Sequence, residues 1–324
     1  MEKTALIYMG GTFGCVGTPL EPMSEHEFIP KLQSLLPKEY IHSTDCFAAP
    51  HIIDSSASTA VEWLQTIKFI QDLQTQYNQF VIIHGTDTLS YASAVCSYFL
   101  AQSCCTILTG SQYPLLDVDG IETRKETDAF NNLVFALEQV QKCNQGVYLA
   151  FNQHLYYGHT AIKHHTTALH AFEGISSVTE TAKHVTTLHH ITEHDIERSK
   201  QLNIMSLMMQ PISVENLASN LNLLLANPPQ FLILQGFGTG NISTNQTIVH
   251  LLKQLREKNC LPILTTQVTF GAIDQRYAIS AWVKDAQIIA TDTLGHADLY
   301  AKILRLYLKY ETADQCYLHW SDAS

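Results

Sequence analysis

The sequence predicts an α/β protein in two parts: a large N-terminal domain with a mainly parallel sheet flanked by helices, and a smaller C-terminal Rossmann-like α/β domain. Three observations carry this. Short apolar runs alternate with segments of helical periodicity along most of the chain. Several runs end in glycine and small polar residues, as strands of an open α/β sheet do where a ligand binds beyond their carboxyl ends. A polar stretch of weak periodicity, Thr179 to Asn203, separates a longer first series from a shorter second one. The expected division is residues 1–183, a linker at 184–203, and residues 204–324, two domains being the natural reading of a 324-residue chain.

The first apolar run, Ala5 to Met9, is long enough for one buried strand and enters the turn Gly10-Gly11-Thr12-Phe13-Gly14. Cys15 to Ser24 follows as a loop that suits a lid or ordinary surface equally, then a helix at Glu27–Leu36. Phe47 to Asp54 reads as a strand running into Ser55-Ser56. Thr59 to Tyr77 has helical spacing, with Val61, Trp63, Leu64, Ile67, Ile70 and Leu73 apolar. The strand Phe80–Ile83 ends at His84-Gly85-Thr86-Asp87-Thr88, ahead of a helix at Ser90–Ala101. Thr106–Leu108 ends at Thr109-Gly110-Ser111-Gln112, and a helix at Thr127–Gln141 leads to the strand Gly146–Phe151. The second series has strands at Ile204–Met208, Phe231–Leu234 and Pro262–Thr265, and helices at Val214–Leu225, Thr247–Lys258 and Asp298–Leu308.

Composition narrows the function. Hydrophobic residues make up 46% and charged residues 15%, which suits a large packed core. A net charge of −11 with only 19 Lys+Arg argues against nucleic acid or an anionic membrane as partner. No apolar run reaches the ~20 residues that span a bilayer, and the run after Lys3 is too short for a signal-peptide core, so a cytoplasmic protein is expected. The 8 cysteines include no Cys-x-x-Cys pair and are expected as reduced thiols. Among the 16 histidines, His190 and His194 have the spacing of a helix-borne metal pair but lack the zincin glutamate, and solvated histidines are the better reading. The spacing of Gly10, Gly11, Gly14 and Gly17 fits neither a dinucleotide fingerprint nor a Walker loop.

Two segments lift the reading further. Gly10-Gly11-Thr12-Phe13-Gly14 resembles the first signature of the asparaginase/glutaminase family, and His84-Gly85-Thr86-Asp87-Thr88 the second. Asp54-Ser55-Ser56, Thr109-Gly110-Ser111-Gln112, the stretch from Asn152 through Gly158 to Lys163, Gly236-Phe237-Gly238-Thr239-Gly240-Asn241, Thr265-Thr266-Gln267 and Gly271 to Tyr277 also resemble family segments, in family order. The type I, cytoplasmic members are most similar. The resemblance implies hydrolysis of L-asparagine to L-aspartate and ammonia, with Thr12 attacking the amide carbon to form an acyl-enzyme. It implies a second cluster of Thr86, Asp87 and Lys163, with Asp87 also binding the substrate α-ammonium. Ser55 and Ser56 would hold the α-carboxylate, and Gly11 and Asn241 join the substrate-binding set. No metal or organic cofactor is implied; a homodimer or homotetramer is.

The chemistry makes independent sense, because a threonine hydroxyl needs a base to take its proton and backbone N–H groups to receive the oxyanion. Read singly, each residue has a plainer role: Thr86 and Asp87, or Ser55 and Ser56, as helix caps, and Lys163 as a surface lysine. The sequence also departs from the family. Ala57-Ser58 follows the serine motif, Thr160 replaces a common arginine, His170 a common aspartate, and no lid tyrosine lies between Thr12 and Glu39. Ile162 and Val268 stand where some cytoplasmic members carry an allosteric asparagine site, so hyperbolic saturation is expected. The alternatives are a broader asparaginase-glutaminase and a catalytically inactive amino-acid-binding or sensor protein. An amidotransferase subunit would call for a further N-terminal domain.

Overall fold

Five consecutive buried residues, Thr4–Tyr8, form β1. An apolar run of that length reads as a strand covered on both faces. In this computed structural model, which describes residues 2–178, 187–269, 273, 281–291 and 295–323, β1 lies inside a six-stranded sheet. After it come the short hairpin strands β2 (Cys15–Val16) and β3 (Glu21–Pro22), helix α1 (Glu25–Leu35), and β4 (Thr44–Ala48). Then follow α2 (Ala60–Leu73), β5 (Gln79–Ile83), α3 (Leu89–Leu100), β6 (Cys105–Thr109), α4 (Ala129–Val140), β7 (Gly146–Phe151) and β8 (His154–Tyr157). The sheet order is β4-β1-β5-β6-β7-β8, parallel except for the β7–β8 hairpin.

This order creates a switch point. The chain leaves β1 for β4 on one side, then crosses back to β5 on the other, so the direction of winding reverses at β1, where open α/β sheets bind ligands. The register is level: Tyr8 pairs with Ile83, and Ile83 with Thr109. The turns that leave these strands therefore emerge side by side. Helices α1 and α4 cover the face bearing Leu6, Tyr8, Val81, Ile83 and Ile107. Right-handed crossovers place α2 and α3, which pack on each other, on the opposite face.

The expected strand Phe47–Asp54 is displaced. β4 is Thr44–Ala48, and its polar Asp45 is tolerated because the strand is at the sheet edge, where the carboxylate accepts a 2.6 Å hydrogen bond from the Tyr77 hydroxyl and meets Lys3 at 3.3 Å. The expected loop at Cys15–Ser24 carries the β2–β3 hairpin. Within the expected linker at 184–203, residues 184–186 lie outside the described residues, and Glu193–Ser199 is a helix, α5, closed by a reciprocal cap between Thr192 and Asp195 and packed on α2. His194 lies in α5 and His190 before it, so the two do not share a helix face. Lys163 stands on β9 (Ile162–Lys163), paired antiparallel with β10 (Phe172–Glu173).

The chain divides into two compact units, Met1–Lys200 and Gln201–Ser324. In the second, β11 (Ile204–Met208), β12 (Phe231–Gly236), β13 (Leu261–Thr266) and β14 (Ile289–Ala290) form a parallel sheet in chain order. Its helices are α6 (Val214–Leu224), α7 (Gln246–Glu257), α8 (Ala281–Asp285), α9 (His296–Lys309) and α10 (Ala313–Leu318). Leu232, Leu234 and Leu264 of the sheet pack with Leu217, Leu221, Ile248 and Leu252 of α6 and α7. Of the resemblance at Gly271 to Tyr277, only Ile273 lies within the described residues. All eight cysteines are free thiols. No helix of the described residues is long and apolar enough to cross a membrane.

Candidate active site

The site begins as a backbone contact. After β1, Gly10 and Gly11 take φ of 107° and 82°, a region open to glycine at little cost. Thr12–Gly14 then makes a single 3-10 turn. A Cβ on Gly11 would stand 2.3 Å from the Gly85 Cα, and a Cβ on Gly85 would stand 2.4 Å from the Ser55 Oγ. The turns after β1 and β5 and the 3-10 turn at Ser55 thus meet through atoms that the two glycines leave uncovered, and the half-buried Thr12 is the next residue along.

The second signature is bound to both neighbours. The His84 N–H donates to the Thr109 carbonyl at 2.9 Å, and the Thr88 hydroxyl to the Ser55 carbonyl at 2.7 Å. Ser55 is buried and Ser56 exposed, in a 3-10 turn where the Ser56 N–H donates to Asp54 at 2.8 Å. Neither serine caps α2, whose cap is Thr59 in a reciprocal pair with Glu62. Nor do Thr86 and Asp87 cap α3: it starts at Leu89 with Thr88 at its N-cap position and no side-chain cap bond.

Instead, Thr86 and Asp87 meet Lys163. The Lys163 Nζ donates to the Thr86 Oγ1 at 3.0 Å and to the Asp87 Oδ1 at 3.2 Å. The lysine side chain is 20% exposed and the Asp87 side chain 62%. The residues come from sequence positions 76 or more apart, so only the fold brings them together. The Lys163 backbone N–H donates to the Ser90 Oγ at 3.0 Å, tying β9 to the first turn of α3.

The neighbouring turn is clamped from α4. The Asp128 carboxylate accepts from the N–H groups of Gln112 and Tyr113, and Asn132 donates to the Gly110 carbonyl. The Gln112 amide reaches the Ala168 carbonyl at 3.0 Å, linking this turn to the segment beyond Lys163. Thr160 is buried; its hydroxyl donates to the Tyr157 carbonyl and accepts from the Ile175 N–H, bracing the approach to β9. His170 faces His154 and His164, with ring centroids 4.6 and 5.5 Å away. Partial burial lowers its pKa, as do the two neighbouring imidazoles. Among the described residues no group of three His, Cys, Asp or Glu side chains is placed to hold a metal ion.

Asn241 is in the second unit, in the turn after β12, where its backbone pairs with Phe237 and its amide lies 3.4 Å from the Thr239 hydroxyl. Burial shapes the groups under the first unit's turns. It raises the Tyr8 hydroxyl pKa, whose oxygen is buried beneath Gly14, and raises the Cys15 thiol, which donates to the Gly11 carbonyl at 3.4 Å. Burial lowers His84 to about 4. Sequence reasoning missed Ser90, which it took only as the start of a helix, and the 3.1 Å hydrogen bond from the Trp63 indole to His84. The only available signal for the latter was a tryptophan on a helix otherwise faced with aliphatic residues.

Known proteins resemble the chain over most of its length. It is 26% identical over 332 residues to L-asparaginase 1 of Escherichia coli strain K12, covering 96% of this chain and 92% of that protein. It is 28% identical over 281 residues to an L-asparaginase of Dirofilaria immitis; that match covers 82% of this chain but spans only 45% of the relative's length. The crystal structure of L-asparaginase I from Vibrio cholerae superposes with a TM-score of 0.78 at 23% identity, covering 99% and 97% of the two chains, and thus shares the fold. The model of the asparaginase N-terminal domain matches residues 3–190. That match takes in both glycine turns and Lys163, and the chain belongs to the asparaginase family.

Proposed function

We propose that the protein hydrolyses L-asparagine to L-aspartate and ammonia through an acyl-enzyme on Thr12. The observation that carries this reading is the convergence of Thr86, Asp87 and Lys163 beside the turn bearing Thr12, with the lysine Nζ within 3.2 Å of both partners. The Thr12 hydroxyl oxygen attacks the side-chain amide carbon and its proton is passed to a base. The developing oxyanion is received by backbone N–H groups of the two glycine turns, those of Gly11 and Thr86. The carbon–nitrogen bond breaks, the nitrogen takes a proton, and ammonia leaves. Water then attacks the ester, helped by the Thr86–Lys163 pair, and releases aspartate. Lys163 acts as base only when it has itself given up a proton, and the Thr86 hydroxyl at 3.0 Å is within transfer distance. Asp87, exposed to solvent and beside the lysine, takes the substrate α-ammonium, a role its exposed carboxylate supports. The Ser55–Ser56 turn supplies hydroxyl groups for the α-carboxylate.

The test is ammonia release from L-asparagine and L-glutamine by wild type and Thr12→Ala. Loss of a nucleophile of this kind costs ~10³-fold or more, and the ratio of the two amides sets the breadth of the enzyme. One methylene is worth ~1–3 kcal/mol in such a pocket. A folded wild type that releases no ammonia while L-asparagine raises its Tm would overturn hydrolysis in favour of an amino-acid-binding protein. Light scattering tests the accompanying proposal of a homodimer or homotetramer, and fractionation the proposed cytoplasmic location.

A further inference from the structure

Trp63 lies on α2, buried, with its ring parallel to Tyr91 of α3 at 6° and a centroid distance of 6.4 Å. Its indole Nε1–H stands 3.1 Å from the His84 Nε2. An indole nitrogen only donates, so Nε2 of His84 accepts. The remaining ring nitrogen, Nδ1, lies 2.8 Å from the Gly85 carbonyl oxygen. A carbonyl only accepts, so Nδ1 carries the proton. The histidine is buried, which favours the uncharged ring. The hydrogen-bond chain therefore has one direction: Trp63 to His84, His84 to the Gly85 carbonyl.

That carbonyl belongs to the peptide unit joining Gly85 to Thr86. The unit is planar, so pinning its oxygen also fixes the N–H of Thr86 on the opposite side. The need for a pin is local. Gly85 lacks a Cβ because Ser55 and Gly11 occupy the space one would fill, and glycine is the residue whose neighbouring peptide planes rotate most easily. A residue imposed by close packing thus weakens the control of backbone orientation at the point where Thr86 enters the site.

We propose that Trp63 is a positioning residue for the amide hydrolysis: by donating to the His84 Nε2 it fixes the Nδ1–H tautomer, and with it the Gly85–Thr86 peptide that presents the Thr86 N–H to the oxygen of the scissile amide. The proposal rests on the hydrolytic reading above. Trp63→Phe keeps an aromatic ring against Tyr91 and removes the donor together with one ring of the indole; the tautomer readout separates loss of the donor from loss of packing. With L-asparagine, kcat is expected to fall ~10–100-fold with KM within about twofold, since a misdirected donor is felt in the transition state and its complete loss costs ~10²–10³-fold. In ¹⁵N-histidine-labelled wild type, the His84 signals, assigned by their loss in His84→Gln, are expected to show a protonated Nδ1 and an unprotonated Nε2. In Trp63→Phe they are expected to become a mixture of tautomers. An active wild type with unchanged kcat in Trp63→Phe, or an unchanged tautomer despite a lower kcat, would overturn the positioning role and leave the hydrolytic reading intact. Absent turnover in wild type would overturn the hydrolytic reading and this role with it. Should Trp63→Phe fail to fold, the wild-type spectrum decides: a proton on Nε2 of His84 overturns the proposal.

Discussion

Replacing Gly11 by alanine tests whether backbone contact builds the site. Gly11 and Gly17 have nearly the same φ, 82° and 83°, but Gly11 combines it with a ψ of −177°, a region that is essentially reserved for glycine, so an alanine there costs ~1–3 kcal/mol against ~1–2 kcal/mol for an ordinary left-handed position. Their surroundings differ. The alanine methyl at position 17 would meet the Pro19 carbonyl oxygen at 3.2 Å, in a loop able to yield. At position 11 it would stand 2.3 Å from the Gly85 Cα and 2.6 Å from the Gly85 nitrogen, with no flexible side-chain end to move aside. Overpacking of that kind adds ~1–3 kcal/mol. Gly11→Ala should therefore cost ~2–6 kcal/mol and Gly17→Ala ~1–2 kcal/mol. The loop movement at Gly85 also displaces Thr86 from Thr12, and a misplacement near 1 Å costs ~10²-fold in rate. Urea unfolding followed at two wavelengths, together with ammonia release, reads both effects. Equal unfolding midpoints and equal rates in the two variants would refute the claim that contact between Gly11 and Gly85 holds the turns in place.

Three further outcomes are expected. Lys163→Met keeps the length of the side chain and removes the donor to Thr86 and Asp87; a fall of ~10²-fold or more in kcat on L-asparagine is expected, and a rate within twofold of wild type would remove the lysine from the mechanism. Ser90→Ala takes away the acceptor of the Lys163 N–H; it should cost ~0.5–1.5 kcal/mol by urea unfolding and lower activity several-fold, and an unaltered rate would show that β9 is held without it. The pH dependence of stability follows from His84, held at about 4 against an ordinary 6.5. Between those values the unfolded chain binds a proton that the folded chain refuses, so this histidine leaves stability untouched above about 6.5 and lowers it by ~1.4 kcal/mol per unit as pH falls toward 4. His84→Gln should flatten that slope while lowering stability at pH 7.5, and an unchanged slope would contradict a buried neutral imidazole.

The legible parts of the fold were those whose signals are local. Phe80–Ile83 is apolar throughout and punctuated by His84-Gly85, and the structure ends β5 at Ile83. The two glycine turns could be placed at strand ends because glycine directly after or one residue beyond an apolar run punctuates a strand. β4 was misplaced because Asp45 reads as a strand breaker until Tyr77 and Lys3, distant in sequence, come to meet it. α5 was missed because its short length offers only Ile196 as a buried apolar residue, its stability coming from the Thr192–Asp195 cap and its seat on α2. Thr160 stood out as a departure from the family pattern, yet its hydroxyl joins the Tyr157 carbonyl to the Ile175 N–H; a missing arginine gave no hint of that bracing role.

The site divides the same way. The residues proposed for it stand in short motifs that the sequence offers, and the structure brings Thr86, Asp87 and Lys163 of those motifs together. What aims them is not offered there, because the aiming groups are polar atoms on residues counted as core. Hydrophobic periodicity places Trp63 on the buried face of α2, where the structure has it, and that success hides the indole N–H. A buried tryptophan nitrogen commonly finds an acceptor, and for Trp63 that acceptor is a histidine of the second signature. The same holds for Ser90, buried on α3 among apolar neighbours, whose hydroxyl oxygen receives the backbone of Lys163. Where a helix packs over the carboxyl edge of a sheet, the polar atoms on its buried face are therefore the first places to seek the groups that orient a site, since a buried polar atom is costly unless partnered and the turns at that edge present backbone groups and side chains that can partner it, as His84 and the Lys163 N–H do here.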